Sequence, residues 1–76
     1  MTKWKNKRDA SPIVHGWYVV WRVADEGEGF APAEWHGIEK WDGCWRYGDW
    51  GVVYWWDETF PHAALAELAT HRVPKP

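Results

Sequence analysis

The sequence predicts an α+β domain, an antiparallel sheet of three to four strands with one C-terminal helix packed on it. Three observations carry this expectation. Runs at 16–23, 33–41 and 50–56 are dense in aromatic and β-branched residues, which fit a pleated, half-buried surface. Asp42-Gly43 follows the second run and favours a tight hairpin, because both central residues of a type I′ turn need positive φ. A stripe of Ala and Leu at helical spacing lies near the end of the chain.

Residues 1–12 are polar and basic and close on Ser11-Pro12, whose proline restricts its predecessor to extended geometry. They read as a flexible basic N-terminal arm, with 13–76 as a single small domain. Strand alternation over 16–23 puts Trp17, Val19, Trp21 and Val23 on one face and Tyr18, Val20 and Arg22 on the other. Residues 24–29 combine acids with two glycines and read as a turn or exposed loop. A two-residue turn at Asp42-Gly43 pairs Trp41 with Cys44, Lys40 with Trp45, Glu39 with Arg46 and Ile38 with Tyr47, and sets opposite charges across from each other at Glu39 and Arg46. Gly48-Asp49 turns the chain into the last strand, which brings the expected count to four.

Asp57, Glu58 and Thr59 before Phe60-Pro61 suit a helix start, with a capping oxygen, anionic charge at the positive end of the dipole and proline in the first turn. The helix is expected over 60–70. Phe60, Ala64 and Leu68, flanked by Leu65 and Ala69, form the stripe predicted to face the sheet. Pro74 and Pro76 end it in a short extended tail.

With 76 residues and 9.0 kDa there is room for one domain, and 46% apolar with 26% charged residues is a globular balance. Nine Trp, three Tyr and two Phe make up 18% of the chain. One helix covers one face of a sheet, so some of these aromatics are expected outside. The net charge of −2 divides unevenly. Lys3, Lys5, Lys7 and Arg8 precede an acidic remainder in which five cations meet eleven anions. That body argues against a strongly basic nucleic-acid-binding domain.

No catalytic constellation stands out. Ser11 lies in the arm and no Gly-x-Ser-x-Gly elbow is present, while Cys44 reads as a packed small hydrophobe. His62 and His71 are nine residues apart and project to opposite sides of a helix, so no metal site is expected. Gly27 and Gly29 lack the Lys-Ser/Thr continuation of a phosphate loop. Trp55 and Trp56 are adjacent and point oppositely, which defeats a one-walled cage for a cationic ligand. No cofactor is expected. A lone cysteine, and no apolar run of signal-peptide or membrane-spanning length, predict a cytoplasmic protein without a membrane role.

Trp and Tyr with a charged rim are what interface hot spots use, since they desolvate a large area at low entropic cost. The expected function is therefore non-enzymatic protein binding through Tyr18, Trp35, Trp45, Trp50 and Trp55, with Arg22, Glu39 and Arg46 as polar surroundings. A homodimer satisfies the same pattern. The alternative is a nucleic-acid-binding accessory protein using Lys3, Trp4, Lys5, Lys7 and Arg8 together with exposed Trp.

Gly-Trp-Tyr-Val-Val-Trp at 16–21, Pro-Ala-Glu-Trp at 32–35, Trp-Asp-Gly-Cys-Trp at 41–45 and Thr-His-Arg-Val-Pro-Lys-Pro at 70–76 together resemble the small Trp-rich proteins of unknown function found in bacteriophages and prophages. The resemblance spans roughly residues 16–76. It implies an accessory protein acting in the host cytoplasm, which binds and inhibits a host protein or complex, such as a defence protein, in the manner of anti-CRISPR and anti-restriction proteins.

Overall fold

The computed structural model describes residues 3–24, 29, 31–46 and 51–76. Strands β1 (Trp4–Asn6), β2 (Gly16–Ala24), β3 (Ala33–Trp41) and β4 (Val52–Trp56) form one sheet in the order β1-β4-β2-β3, with every neighbouring pair antiparallel. Helix α1 (Ala63–Ala69) follows and packs on β2 and β3. The α+β architecture matches the expectation. The run at 33–41 is β3 to the residue, and 16–23 gains only Ala24.

The expected arm contains a strand. β1 pairs Trp4 with Trp56, Lys5 with Trp55 and Asn6 with Tyr54, and Trp4 is buried. The Trp4 indole donates to the Pro74 carbonyl at 3.0 Å, so the two ends of the chain are tied together. One buried indole outweighs the basic composition around it, because burying so large a ring is worth several kcal/mol.

β2 lies at the centre and feeds two cores by alternation. Val19 and Trp21 join Trp4, Ala69 and Val73 under the helix, with Val23, Tyr54, Trp56 and Phe60 packed alongside. Tyr18 and Val20 join Trp45, Val52 and Trp55 on the other face, against Trp41. Of the aromatics expected outside, Trp35 is exposed, whereas Tyr18, Trp45 and Trp55 are buried. The chain covers this second face itself, with Trp45 from beyond β3 and with residues 10–14, in which Pro12 is buried. The Trp55 indole donates to the Ala10 carbonyl at 3.0 Å, and the Tyr18 hydroxyl to the Val14 carbonyl at 2.5 Å.

The turn after β3 is one residue longer than the type I′ expectation. Trp41 pairs with Trp45 rather than Cys44, the Arg46 N–H bonds the Lys40 carbonyl at 2.8 Å, and Gly43 takes φ +104° in the turn. A slip of one residue moves a side chain to the opposite face. It carries Trp45 onto the second core, edge-on to Tyr18 and to Trp41 at ring-centre distances of 6.1 and 4.9 Å. Glu39 consequently meets Arg22 instead of Arg46, and Arg46 bonds Asp42 at 2.9 Å. The expected turns at 24–29 and 48–49, and the pairing of Tyr47, fall wholly or largely outside the described residues.

The helix is shorter and turned. His62 is its N-cap, without a side-chain cap, because residues 57–60 serve the sheet instead. Asp57 N–H bonds the Lys3 carbonyl at 2.9 Å, the Thr59 hydroxyl donates to the Tyr18 oxygen at 2.6 Å, and Phe60 bridges Trp17 through two backbone bonds of 2.8 Å. The tight passage at Thr59 explains Gly16, where a Cβ would lie 2.4 Å from the Thr59 methyl. Ala66 and Ala69 face the sheet, whereas Leu68 is 67% exposed and Ala64 and Leu65 also face outward. Small side chains let the helix sit close, and a helix of one to two turns is held by that packing rather than by its ends.

Two measurements check this arrangement. Trp4→Ala should cost about 3–5 kcal/mol in urea unfolding, the range for a buried Trp; a loss under about 1 kcal/mol would mark β1 as an appendage. The second concerns Glu58. Its hydrogen bond from Arg72, at 2.7 Å, holds the carboxyl below the ordinary glutamate value of 4.5; slight burial opposes this and the Trp56 indole at 3.2 Å assists it. A depressed carboxylate adds stability that is present above 4.5 and is lost as pH falls through the lower folded value. The pair is solvent-screened, so the effect is small. Glu58→Gln should lower Tm slightly at neutral pH and leave it unchanged in strong acid, and an equal drop at both would contradict the linkage.

Candidate functional site

The residues expected to form an open recognition face are mostly interior. Tyr18, Trp45 and Trp55 are buried, with the Tyr18 ring nearly perpendicular to Trp45 and to Trp55. Glu39 is 1% exposed and forms an ion pair with Arg22, whose stem lies over Gly37. Arg46 is exposed and bonded to Asp42, and Trp50 lies outside the described residues. Among the described Trp residues Trp35, 38% exposed, is the most open, and Trp17, Trp41 and Trp56 are half-buried. Alternation predicted which face each β2 residue occupies; it did not reveal that the loop before that strand and the turn after β3 close over the second face.

The basic cluster is likewise redistributed. Trp4 is buried and unable to stack on a base. Lys3 lies 6.0 Å from the Trp56 ring, Lys5 and Arg8 are exposed, and Lys7 is half-buried with its N–H on the Val53 carbonyl at 3.0 Å. Cys44, expected as a packed hydrophobe, is exposed beside Asp42, at 3.8 Å from its carboxylate. The wider turn that buries Trp45 turns Cys44 out. Among the described residues no group of three or more His, Cys, Asp or Glu is placed to hold a metal ion.

The structure brings together a site that the sequence did not single out. A cleft of about 410 Å³ opens on the second face between the β1/β4 pair and residues 10–14. Its floor is Trp55 and Tyr18, its rim carries Lys5 and Asp57, and its outer wall is Ile13 and Val14. β-Sheet register explains the floor, since Lys5 and Trp55 are directly opposite and share a face. Ile13 is 95% exposed and Val14 58% exposed. These two apolar residues do not sit on a strand or a helix; they are presented by a loop fastened on both sides, at Ala10 by Trp55 and at Val14 by Tyr18. The Tyr18 hydroxyl is doubly used, donating to Val14 and accepting from Thr59. Such a cleft offers apolar contact flanked by one cation and one anion. The legible signal was an Ile-Val pair placed between Pro12 and Gly16, ahead of the first long strand and outside its alternation.

The Arg22 and Glu39 pair holds the neighbouring part of this face. Removing one partner of a buried pair strands the other charge, at about 3–5 kcal/mol, whereas replacing both with apolar groups is far milder. Glu39→Ala should therefore destabilise by about that amount in chemical unfolding, and Arg22→Leu combined with Glu39→Leu by less than Glu39→Ala alone. A double variant that loses more than the sum of the singles would contradict this assignment. Compared with known proteins, the chain matches no family model, no curated protein and no solved structure, so the functional reading rests on the geometry of the chain itself.

Proposed function

We propose that this chain is a non-enzymatic protein-binding module whose contact surface is the Ile13 and Val14 wall of the second-face cleft. The observation that carries the reading is Ile13, 95% exposed on a loop anchored at both ends. A fastened loop loses little conformational entropy on binding, and a pre-organised apolar residue beside a concave pocket is the arrangement that concentrates binding energy. Trp55 and Tyr18 act from beneath as the rigid floor rather than as the contacting rings. Lys5 and Asp57 on the rim favour a partner segment that carries both charge and apolar side chains, and fix its direction.

The resemblance to Trp-rich phage proteins supplies the biological setting of this proposal, in which the partner is a host protein such as a defence factor and the module inhibits it by occupying its surface. A nucleic-acid role loses the stacking of Trp4, which is buried, while Trp35 stays exposed and Lys5 is part of the cleft rim.

The test compares proteins captured from a bacterial lysate by the wild-type chain, by Ile13→Asp and by Leu68→Asp on the outer face of α1. The proposal expects a protein recovered with wild type and with Leu68→Asp and lost with Ile13→Asp, at unchanged Tm. Identical recovery by all three, or enrichment of nucleic acid instead of protein, would contradict it.

A further inference from the structure

β3 is a nine-residue strand at the edge of the sheet, and its outward backbone groups follow from two hydrogen-bond patterns. Trp17 exchanges both backbone bonds with Phe60, on the side away from β3. Antiparallel strands alternate, so Tyr18 and its partner Glu39 bond each other, and Glu34, His36, Ile38 and Lys40 direct their N–H and C=O groups away from the sheet. The Arg46 N–H confirms that direction by reaching the Lys40 carbonyl from outside. Among the described residues, no backbone partner meets the outward groups of Glu34, His36 or Ile38.

Exposed edges are normally blunted by short strands, bulges, proline or lysine, because unpaired backbone groups recruit another strand. The opposite edge obeys this rule, since β1 has three residues and carries Lys5 at its centre. β3 is stopped only at its ends. Pro32 has no N–H to donate, and the Lys40 carbonyl is already taken. Its pairing with β2 is unbroken over all nine residues.

We propose that this edge pairs with the same edge of a second copy of the chain, antiparallel, about a two-fold axis at His36. Of the registers that oppose outward groups, this one uses each of the three free residues and avoids both stops. It sets Glu34 against Ile38 of the second copy, His36 against its counterpart, and Ile38 against Glu34, for about six backbone hydrogen bonds. The side chains fit the same register. On the second face Trp35 comes opposite Gly37 of the other copy, a position with no side chain of its own, over which the Arg22 Nε and stem lie 3.3 and 3.5 Å from where a Cβ would stand. The exposed indole then packs on the Arg22 side chain that lies over that glycine. On the helix face the His36 ring leans inward, 4.9 Å from the Trp21 ring centre, and leaves the edge clear. A foreign strand meets the hydrogen-bonding groups equally well, but it brings no matched glycine for Trp35 and no matching stops. That comparison favours a second copy.

An edge contact of this size is smaller than a standard interface of about 1,600 Å², so association belongs to high micromolar concentration. Sedimentation equilibrium on the full chain should show a mass approaching twice 9.0 kDa that falls to one chain on dilution. Glu34→Pro removes one outward N–H and Trp35→Lys removes the indole; each should raise the dissociation constant at least about tenfold. Ile13→Asp, on the separate cleft, should leave it unchanged, which keeps this proposal distinct from the binding function. If Glu34→Pro does not fold, Trp35→Lys carries the comparison. Hydrogen exchange adds a local readout: the amides of Glu34, His36 and Ile38 should be protected at high concentration and exposed on dilution. A chain that stays monomeric throughout, a dimer indifferent to both edge variants, or amide exchange at those three positions independent of concentration would each overturn the proposal.

Discussion

Both faces of one small sheet need an apolar cover, and this requirement organises the whole molecule. β2 places Val19 and Trp21 on one side and Tyr18 and Val20 on the other, and all four are buried. A single helix of seven residues shields only the first side. The second side is closed by Trp45 from the widened turn and by the loop of residues 10–14, with Tyr18 and Trp55 bonding that loop's carbonyls. Burial of large rings supplies most of the favourable free energy available to so short a chain, where the surface-to-volume ratio is unfavourable.

From this constraint the departures from simple sequence rules follow. Trp4 is drawn out of a basic segment into a strand because its indole completes the helix-side core between Trp21 and Trp56. The turn at Asp42-Gly43 takes an extra residue because the two-residue register would have placed Trp45 on the same face as Lys40. Residues 57–60 are held as extended chain by Trp17 and Tyr18, which delays the helix to Ala63 and turns Ala66 and Ala69, rather than Leu65 and Leu68, toward the sheet. In each case a long-range packing contact overrides a local preference worth about 1 kcal/mol or less.

What could be read in advance was the part governed by local pattern. The alternation in 16–23, the full extent of 33–41, the chain reversal at Asp42-Gly43 and the presence of a C-terminal helix depend on neighbouring residues alone. The candidate site depends on contacts between residues far apart in sequence. Trp55 reaches Ala10 and Thr59 reaches Tyr18, separations that no periodicity encodes. Aromatic content therefore pointed to Tyr18, Trp45 and Trp55 as surface, where the structure buries them, and to Trp35, which is exposed. The exposed apolar residues that result, Ile13 and Val14, are ordinary in composition and distinctive only in being fastened at the surface.

The functional account needs Tyr18, Trp45 and Trp55 to be a closed interior, so that the loop above them is a rigid platform. Hydroxyl-radical footprinting of the indole rings tests this directly, since modification rate follows solvent access. The account predicts that Trp35 is oxidised well ahead of Trp45 and Trp55 in the folded chain. Oxidation of Trp45 and Trp55 as fast as Trp35 would show the second face to be open, and would contradict the two-core fold on which the rest stands.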